Sequence, residues 1–253
     1  MTETKIRARR IAGEGWISPA GTWSYSSVDD PTGVILSNAD ETGRIGLGDK
    51  IMFTNGGNTI YGFVTKISYS APNTTITFLH EIDPTDSLAL YLLANSAITN
   101  PYYSHAKVPF GFPLEEDKWT FYVIDTTQRT QASPTALTWY NLGSVSINFP
   151  IGAWKRLGYS VDAAGVGPTG QISVFTTLST ANNSESDASM TRKINVASTN
   201  LTQFESSLEA YRYLKLASKT TYYINTKSNQ SITTMYNQNA TLTLVISAIC
   251  AYL

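Results

Sequence analysis

Residues 50–82 read KIMFTNGGNTIYGFVTKISYSAPNTTITFLHEI, and two turn signals divide them into three apolar-polar runs. Asn55-Gly56-Gly57-Asn58 joins the first run to the second, and Ala71-Pro72-Asn73 joins the second to the third. Asn-Gly and Pro-Asn between alternating runs are hairpin signals, because these residues tolerate the backbone angles that tight turns demand. In the middle run the alternation puts Phe63, Thr65, Ile67 and Tyr69 on one face and Val64, Lys66 and Ser68 on the other. In the third, Ile76, Phe78 and His80 alternate with Thr75, Thr77 and Leu79. Three strands in so short a span predict a meander within a small barrel.

Composition extends the same reading to the whole chain. Of 253 residues, 42% are hydrophobic and only 15% charged. Charge is well below the quarter or so usual in a globular protein, and Thr, Ser, Asn and Tyr take its place. Thr and Tyr favour strands, whereas Asn and Ser favour turns. The net charge of −1 argues against nucleic-acid binding, which needs a basic surface. The one basic cluster, Lys5 to Arg10 (KIRARR), reads as a solvated arm or as an arm that docks on an acidic partner. Cys250 is the single cysteine, so no intramolecular disulfide forms, and its apolar surroundings make it a small buried hydrophobe. The N-terminus lacks the apolar region of a signal peptide. The longest apolar stretch, Leu242–Leu253, falls short of the ~20 residues of a membrane helix. No membrane insertion is expected.

North of the meander, GEGWISPAGTWSYSS supplies Trp16, Trp23 and Tyr25 as anchors among helix breakers. South of it, DPTDSLALYLLANSAI is the best helical candidate of the first half. Asp83 or Thr85 would cap it, with Leu88, Leu92 and Leu93 at helical spacing over Asp83–Ile98. Pro101, Pro109 and Pro113 then mark an extended segment that can be neither helical nor central in a sheet. From Trp119 onward strand follows strand. GAWKRLGYSVDAA and QISVFTTLST read as a pair joined by GVGPTG, and Ala181 to Lys193 as a long exposed loop. The expected fold is all-β. A basic arm (1–14) precedes a small β-barrel-like domain (15–98), a Pro-rich linker (99–118) and a jelly-roll β-sandwich (119–253).

The last strand, TLTLVISAICAYL, carries the strongest hint about association. Leu242, Leu244, Ile246, Ala248, Cys250 and Tyr252 form an unbroken core face. The opposite face starts polar at Thr241 and Thr243 and turns apolar at Val245, Ile249 and Leu253. A strand buried on one side keeps alternating, so a second surface must cover this strip. Val245, Ile249 and Leu253 are therefore the candidate subunit interface of a homo-oligomer, a trimer being preferred because three copies round an axis converge such a strip on itself. The alternative cover is the first domain of the same chain.

Chemistry-bearing motifs are missing. His80 and His105 lie outside any zinc spacing, and there is no phosphate loop or nucleophile elbow. Glu115, Glu116 and Asp117 are adjacent carboxylates on the linker, unlike the separated pair of glycoside hydrolysis. Asp29 and Asp30 lack the spacing of a calcium loop. Neither a cofactor nor a metal is expected, and the chain reads as non-enzymatic. Tyrosines 211, 213, 222, 223 and 236 are the remaining candidates for recognition, since exposed Tyr beside Asn and Thr suits sugar or protein surfaces.

Four stretches carry a resemblance. They are the opening W-I-S-P-A-G-T-W (16–23), the strand start G-D-K-I (48–51), the hairpin VTKISYSAPNTTIT (64–77) and the exit AITNPYYS (97–104). Over Gly15 to Pro113 the chain resembles a domain of tailed-bacteriophage structural proteins. The second half is similar to the carboxy-terminal sandwich modules of phage fibres and spikes, at VSINFPIGAWKRLGYSVDAA, VFTTLSTANNSESDASMT and LASKTTYYINTK…ATLTLVISAICAYL. The resemblance implies a virion component, assembled in the host cytoplasm and commonly trimeric, that attaches by its N-terminal region to other virion proteins and presents the sandwich outward. It points to a tail fibre or tail-tip protein for host attachment, with a host-surface glycan or protein as ligand. A head fibre or capsid decoration protein is the near alternative and a carbohydrate-active spike enzyme the distant one. It transfers no receptor-binding residue.

Overall fold

The computed structural model describes residues 15–143, 146–167, 170–198, 204–237 and 244–253. The chain is all-β: among the described residues there is no α-helix, and every strand pairing is antiparallel. No helix there is long and apolar enough to cross a membrane. The basic arm lies outside the described residues, as do Thr241, Leu242 and Thr243.

Six strands form the first sheet: β1 (Trp23–Asp29), β2 (Thr32–Ser37), β3 (Lys50–Asn55), β4 (Asn58–Ser70), β5 (Asn73–His80) and β6 (Ile98–Ser104). Their order is β1-β2-β5-β4-β3-β6, curled into a half-barrel. The expected turn is present, with Gly56 and Gly57 at φ of 57° and 86°. Two successive positive φ values define the turn whose twist matches a hairpin, and glycine adopts them without strain. The second turn carries a cis Ala71–Pro72 peptide. Pro101 lies on β6, an edge strand, where its missing N–H breaks no ladder.

Alternation along β4 is interrupted. The register with β5 shifts between Val64 and Lys66, leaving Thr65 as a bulge. A bulged residue throws all that follows onto the other face. Phe63 and Val64 are both buried, in different cores, while Ile67 packs in the core of Val64 and Tyr69 is exposed. Ile67 thus shares the face of Val64, not that of Phe63 as strict alternation predicted.

The helix expected over Asp83–Ile98 does not form. Asp83 Oδ1 accepts from the Thr85 N–H and hydroxyl, and Asp86 Oδ1 accepts from the Leu88 N–H. Asp30 and Asn55 take the N–H groups of Ala89 and Ala94. The Asp83 bonds are those of a helix cap, but the Leu88, Ala89 and Ala94 N–H groups that would continue a helix are taken by Asp86, Asp30 and Asn55. Of the three leucines at helical spacing only Leu93 is buried; Leu88 and Leu92 face solvent.

The second half supplies ten strands: β7 (Thr120–Asp125), β8 (Arg129–Ala132), β9 (Ser146–Phe149), β10 (Gly152–Val166), β11 (Gly170–Ser179), β12 (Arg192–Ser198), β13 (Phe204–Leu216), β14 (Thr220–Ser228), β15 (Thr234–Asn237) and β16 (Leu244–Ile249). They make a sandwich of two sheets. One runs β7-β16-β10-β15-β8, with β13 on the other edge of β10; the other runs β12-β11-β14-β9. The expected β10–β11 hairpin is absent, because the two strands belong to different sheets. β10 carries β13 on one side and β16 and β15 on the other, so neither edge is free to take β11.

One hydrophobic core crosses from the half-barrel into the sandwich. Trp16, Phe63, Leu79, Ile82 and Phe112 join Trp119, Phe149, Trp154, Tyr159 and Ile246. Trp119 stands at the junction: its ring stacks on Phe112 (5.3 Å, 6°) and lies 4.5 Å from that of Phe63. A second, smaller core around Trp23, Phe53 and Phe78 fills the half-barrel alone.

Candidate functional site

The last strand holds the candidate surface. β16 is an interior strand, in register with β7 (Val245↔Ile124, Ser247↔Tyr122, Ile249↔Thr120) and with β10 (Ser160↔Val245, Gly158↔Ser247). Its inward residues Leu244, Ile246, Ala248 and Cys250 are almost completely buried. Val245, Ser247 and Ile249 point the other way and are half-buried.

The same outer face extends to both sides. On β7 the outward residues are Tyr122, half-buried, and Ile124, 47% exposed. On β13 they are Glu209, Tyr211, Tyr213 and Lys215, the two tyrosines being 68% and 64% exposed. Gly158 sits opposite Tyr211, and a Cβ there would collide with the Ala210 carbonyl and the Tyr211 side chain. A glycine is required for β13 to approach so closely. Ser160 and Ser247 floor the middle of the face, with aromatic and aliphatic groups raised on either side. Val245, Ile249 and Ile124 make this face continuous across the β16–β7 pairing.

Ile124 and Tyr122 were not singled out from the sequence. The signal was there, because TFYVID is apolar on both faces, the same loss of alternation that marks β16.

The carboxyl end departs from the strip. β16 stops at Ile249, and Cys250 makes an isolated bridge to Trp154. Tyr252 and Leu253 then fold onto the shared core. The Tyr252 ring lies 6.2 Å from Phe63 and fills the space beside Gly48, both in the first half of the chain. The first half therefore covers Tyr252, and Leu253 packs on the shared core, while Val245 and Ile249 remain on the outer face. It also reaches β7, where the Tyr122 N–H donates to Ser87 Oγ (3.0 Å) and its hydroxyl to the Pro84 carbonyl.

Burial pushes the Cys250 thiol up to about 12. Since the thiolate is the reactive species, Cys250 is expected to resist a disulfide reagent such as DTNB in the native protein and to react only on unfolding. Fast stoichiometric labelling without denaturant would contradict that burial.

The other sequence candidates are dispersed. His80 is buried in the half-barrel, whereas His105 is exposed, with Nδ1 2.9 Å from Asp49 Oδ1. Lys118 and Lys155 pair with Glu81 and Glu116, and Asp29 pairs with Lys219. Among the described residues no group of His, Cys, Asp and Glu could hold a metal ion. Tyr222 is buried against Phe149, while Tyr223 and Tyr236 are half-buried. The loop from Ala181 is mostly exposed but anchored: Asn225 donates to the Ala181 and Ser184 carbonyls and accepts from the Asn183 N–H. Met190 turns inward at its end.

No protein-family model matches the chain, and no curated protein does. Some solved structures align along most of it, loosely. Dimeric latent PorU from Porphyromonas gingivalis does so with a TM-score of 0.32 and 9% identity, over 98% of this chain and 26% of that one. The infectious bursal disease virus VP2 subviral particle gives 0.27 and 10%, over 99% and 83%. The Gx strain of that virus gives 0.22 and 11%, over 92% and 62%. The chain thus spans about a quarter of PorU, and likenesses this loose carry no functional argument.

Proposed function

We propose that this chain is a non-enzymatic structural protein of a bacteriophage particle, a homotrimeric tail fibre or tail-tip subunit that takes part in attachment to the host surface. The sequence resemblance motivates the virion assignment. The observation that carries the assembly is the outer face of β16 and β7, where Val245, Ile249 and Ile124 form an apolar strip, with Tyr122 at its edge held by the first half of the chain. Each copy contributes the strip to a shared axis, with Tyr211 and Tyr213 flanking it. Leu253, first grouped with Val245 and Ile249, belongs to the rim, since it packs within its own chain. The N-terminal region joins the particle and the sandwich faces outward.

Light scattering behind size exclusion tests the assembly. The expected species is three times the 27.7 kDa chain. The double variant Ile124→Glu/Val245→Glu is expected to elute as a monomer with an unchanged strand spectrum, because charges brought together at the axis would lose their water. A monomeric wild type at tens of micromolar would refute the trimer. Gold-labelled antibody against the chain tests the virion assignment separately. Label on tails is expected; label on heads would move the chain to the head-fibre class, and unlabelled particles would end the assignment.

A further inference from the structure

Away from the β16 face, a cleft of about 660 Å³ opens between the β3–β4 turn, the segment after β5 and the Pro-rich segment. At its base Glu81 and Lys118 are joined at 2.8 Å, with the carboxylate side chain 9% exposed and the ammonium side chain 33%. Tyr61 lies beside them, packed edge-on to Phe112 at 5.8 Å. Tyr91 stands on the wall and is 44% exposed. Gly57 and Gly111 form part of the rim, so no side chain closes the mouth there. The walls are fixed by backbone bonds: the Glu81 N–H donates to the Tyr61 carbonyl and the Leu90 N–H to the Glu81 carbonyl.

We propose that this cleft binds a neutral saccharide. A fixed carboxylate beside a fixed ammonium offers an acceptor and a donor a few ångströms apart, the spacing of neighbouring hydroxyls on a sugar ring. Their partial burial makes hydrogen bonds to them stronger than those to solvated charges. The pair is neutral, and Glu115, also on the lining, disfavours an anionic ligand. Tyr91 supplies the flat apolar surface against which the C–H face of a sugar packs at little entropic cost. A peptide anchored by apolar side chains is the poorer fit, because the cleft is open and its base carries charge. The inference does not require the virion assignment, and a failure here leaves the trimer untouched.

Saturation-transfer NMR on the purified full chain tests it, with hexose, N-acetylhexosamine and 6-deoxyhexose trisaccharides as probes. At least one should receive saturation with a Kd near about 1 mM, the affinity of a shallow site with few contacts. Tyr91→Ala, an exposed position that leaves the fold intact, should weaken that binding at least ~10-fold. Lys118→Met should weaken it too, whereas Tyr213→Ala, on the distant β13 face, should not. No transfer from any probe at about 10 mM, or transfer undiminished in Tyr91→Ala, overturns the site.

Discussion

Replacing Trp119 by alanine is expected to cost about 4 kcal/mol and to uncouple the half-barrel from the sandwich. Large aromatic deletions from a core cost about 3–5 kcal/mol, through lost transfer energy and the cavity left behind. Trp119 belongs toward the upper end because its neighbours cannot collapse. Phe112 stacks on one face, Phe63 meets it edge-on, and Nε1 donates to the Pro113 carbonyl at 2.9 Å. Its own carbonyl accepts from the Cys250 N–H at 3.0 Å, tying the end of the chain to the same point. Urea unfolding followed by circular dichroism and by fluorescence of the remaining tryptophans checks this. The two probes should coincide in the wild type and separate in the variant, since Trp16 and Trp23 report the first half and Trp139 and Trp154 the second. A loss under about 1 kcal/mol with coincident curves would show that Trp119 is not what joins the halves.

How far the sequence reached depended on the range of the interaction that decided each feature. The meander of residues 50–82 was legible because its turns and alternation are local, and the glycines at 56 and 57 adopt the angles their turn type demands. The bulge at Thr65 was not, because Phe63 and Val64 are both apolar and either could face either core. The false helix after Asp83 came from leucine spacing. What defeated it was partly local, the Asp86 side chain, and partly distant, Asp30 and Asn55. β10 and β11 were recognisable as strands, but the partners of β10 are β13, β15 and β16, far along the chain, so adjacency in sequence suggested the wrong pairing. The outer face of β16 was half legible: its own lost alternation gave Val245 and Ile249, while Ile124 came only with the register. The cleft at Glu81 had no signature in the sequence at all. Tyr61, Tyr91, Glu81 and Lys118 meet because the Pro-rich segment returns past the end of β5, where the Ile82 N–H donates to the Lys118 carbonyl.

Acid is expected to destabilise the protein through His80 before most carboxylates titrate. The ring is 1% exposed, packs 4.6 Å from Phe78, and leaves Nε2 without a hydrogen-bond partner. Burial lowers its pKa from 6.5 to about 4, opposed only in part by a hydrogen bond with the Tyr91 backbone. Tyr61, Glu81 and Tyr91 are the titratable groups around the same small space, and the Glu81 carboxylate is engaged with Lys118. Between the two pKa values the unfolded chain binds a proton that the native state refuses, so stability rises with pH across that window. The contribution is fully present above about pH 6.5 and is lost progressively as the pH falls toward 4. The gap corresponds to about 3 kcal/mol, a large share of the 5–15 kcal/mol typical of a native protein. His80→Gln removes the titration while keeping a polar side chain. Its denaturation midpoint should fall less steeply between pH 6.5 and 4 than that of the wild type, even if it starts lower at pH 7. Parallel decline of the two proteins across that interval would show that His80 is not the group acid acts upon.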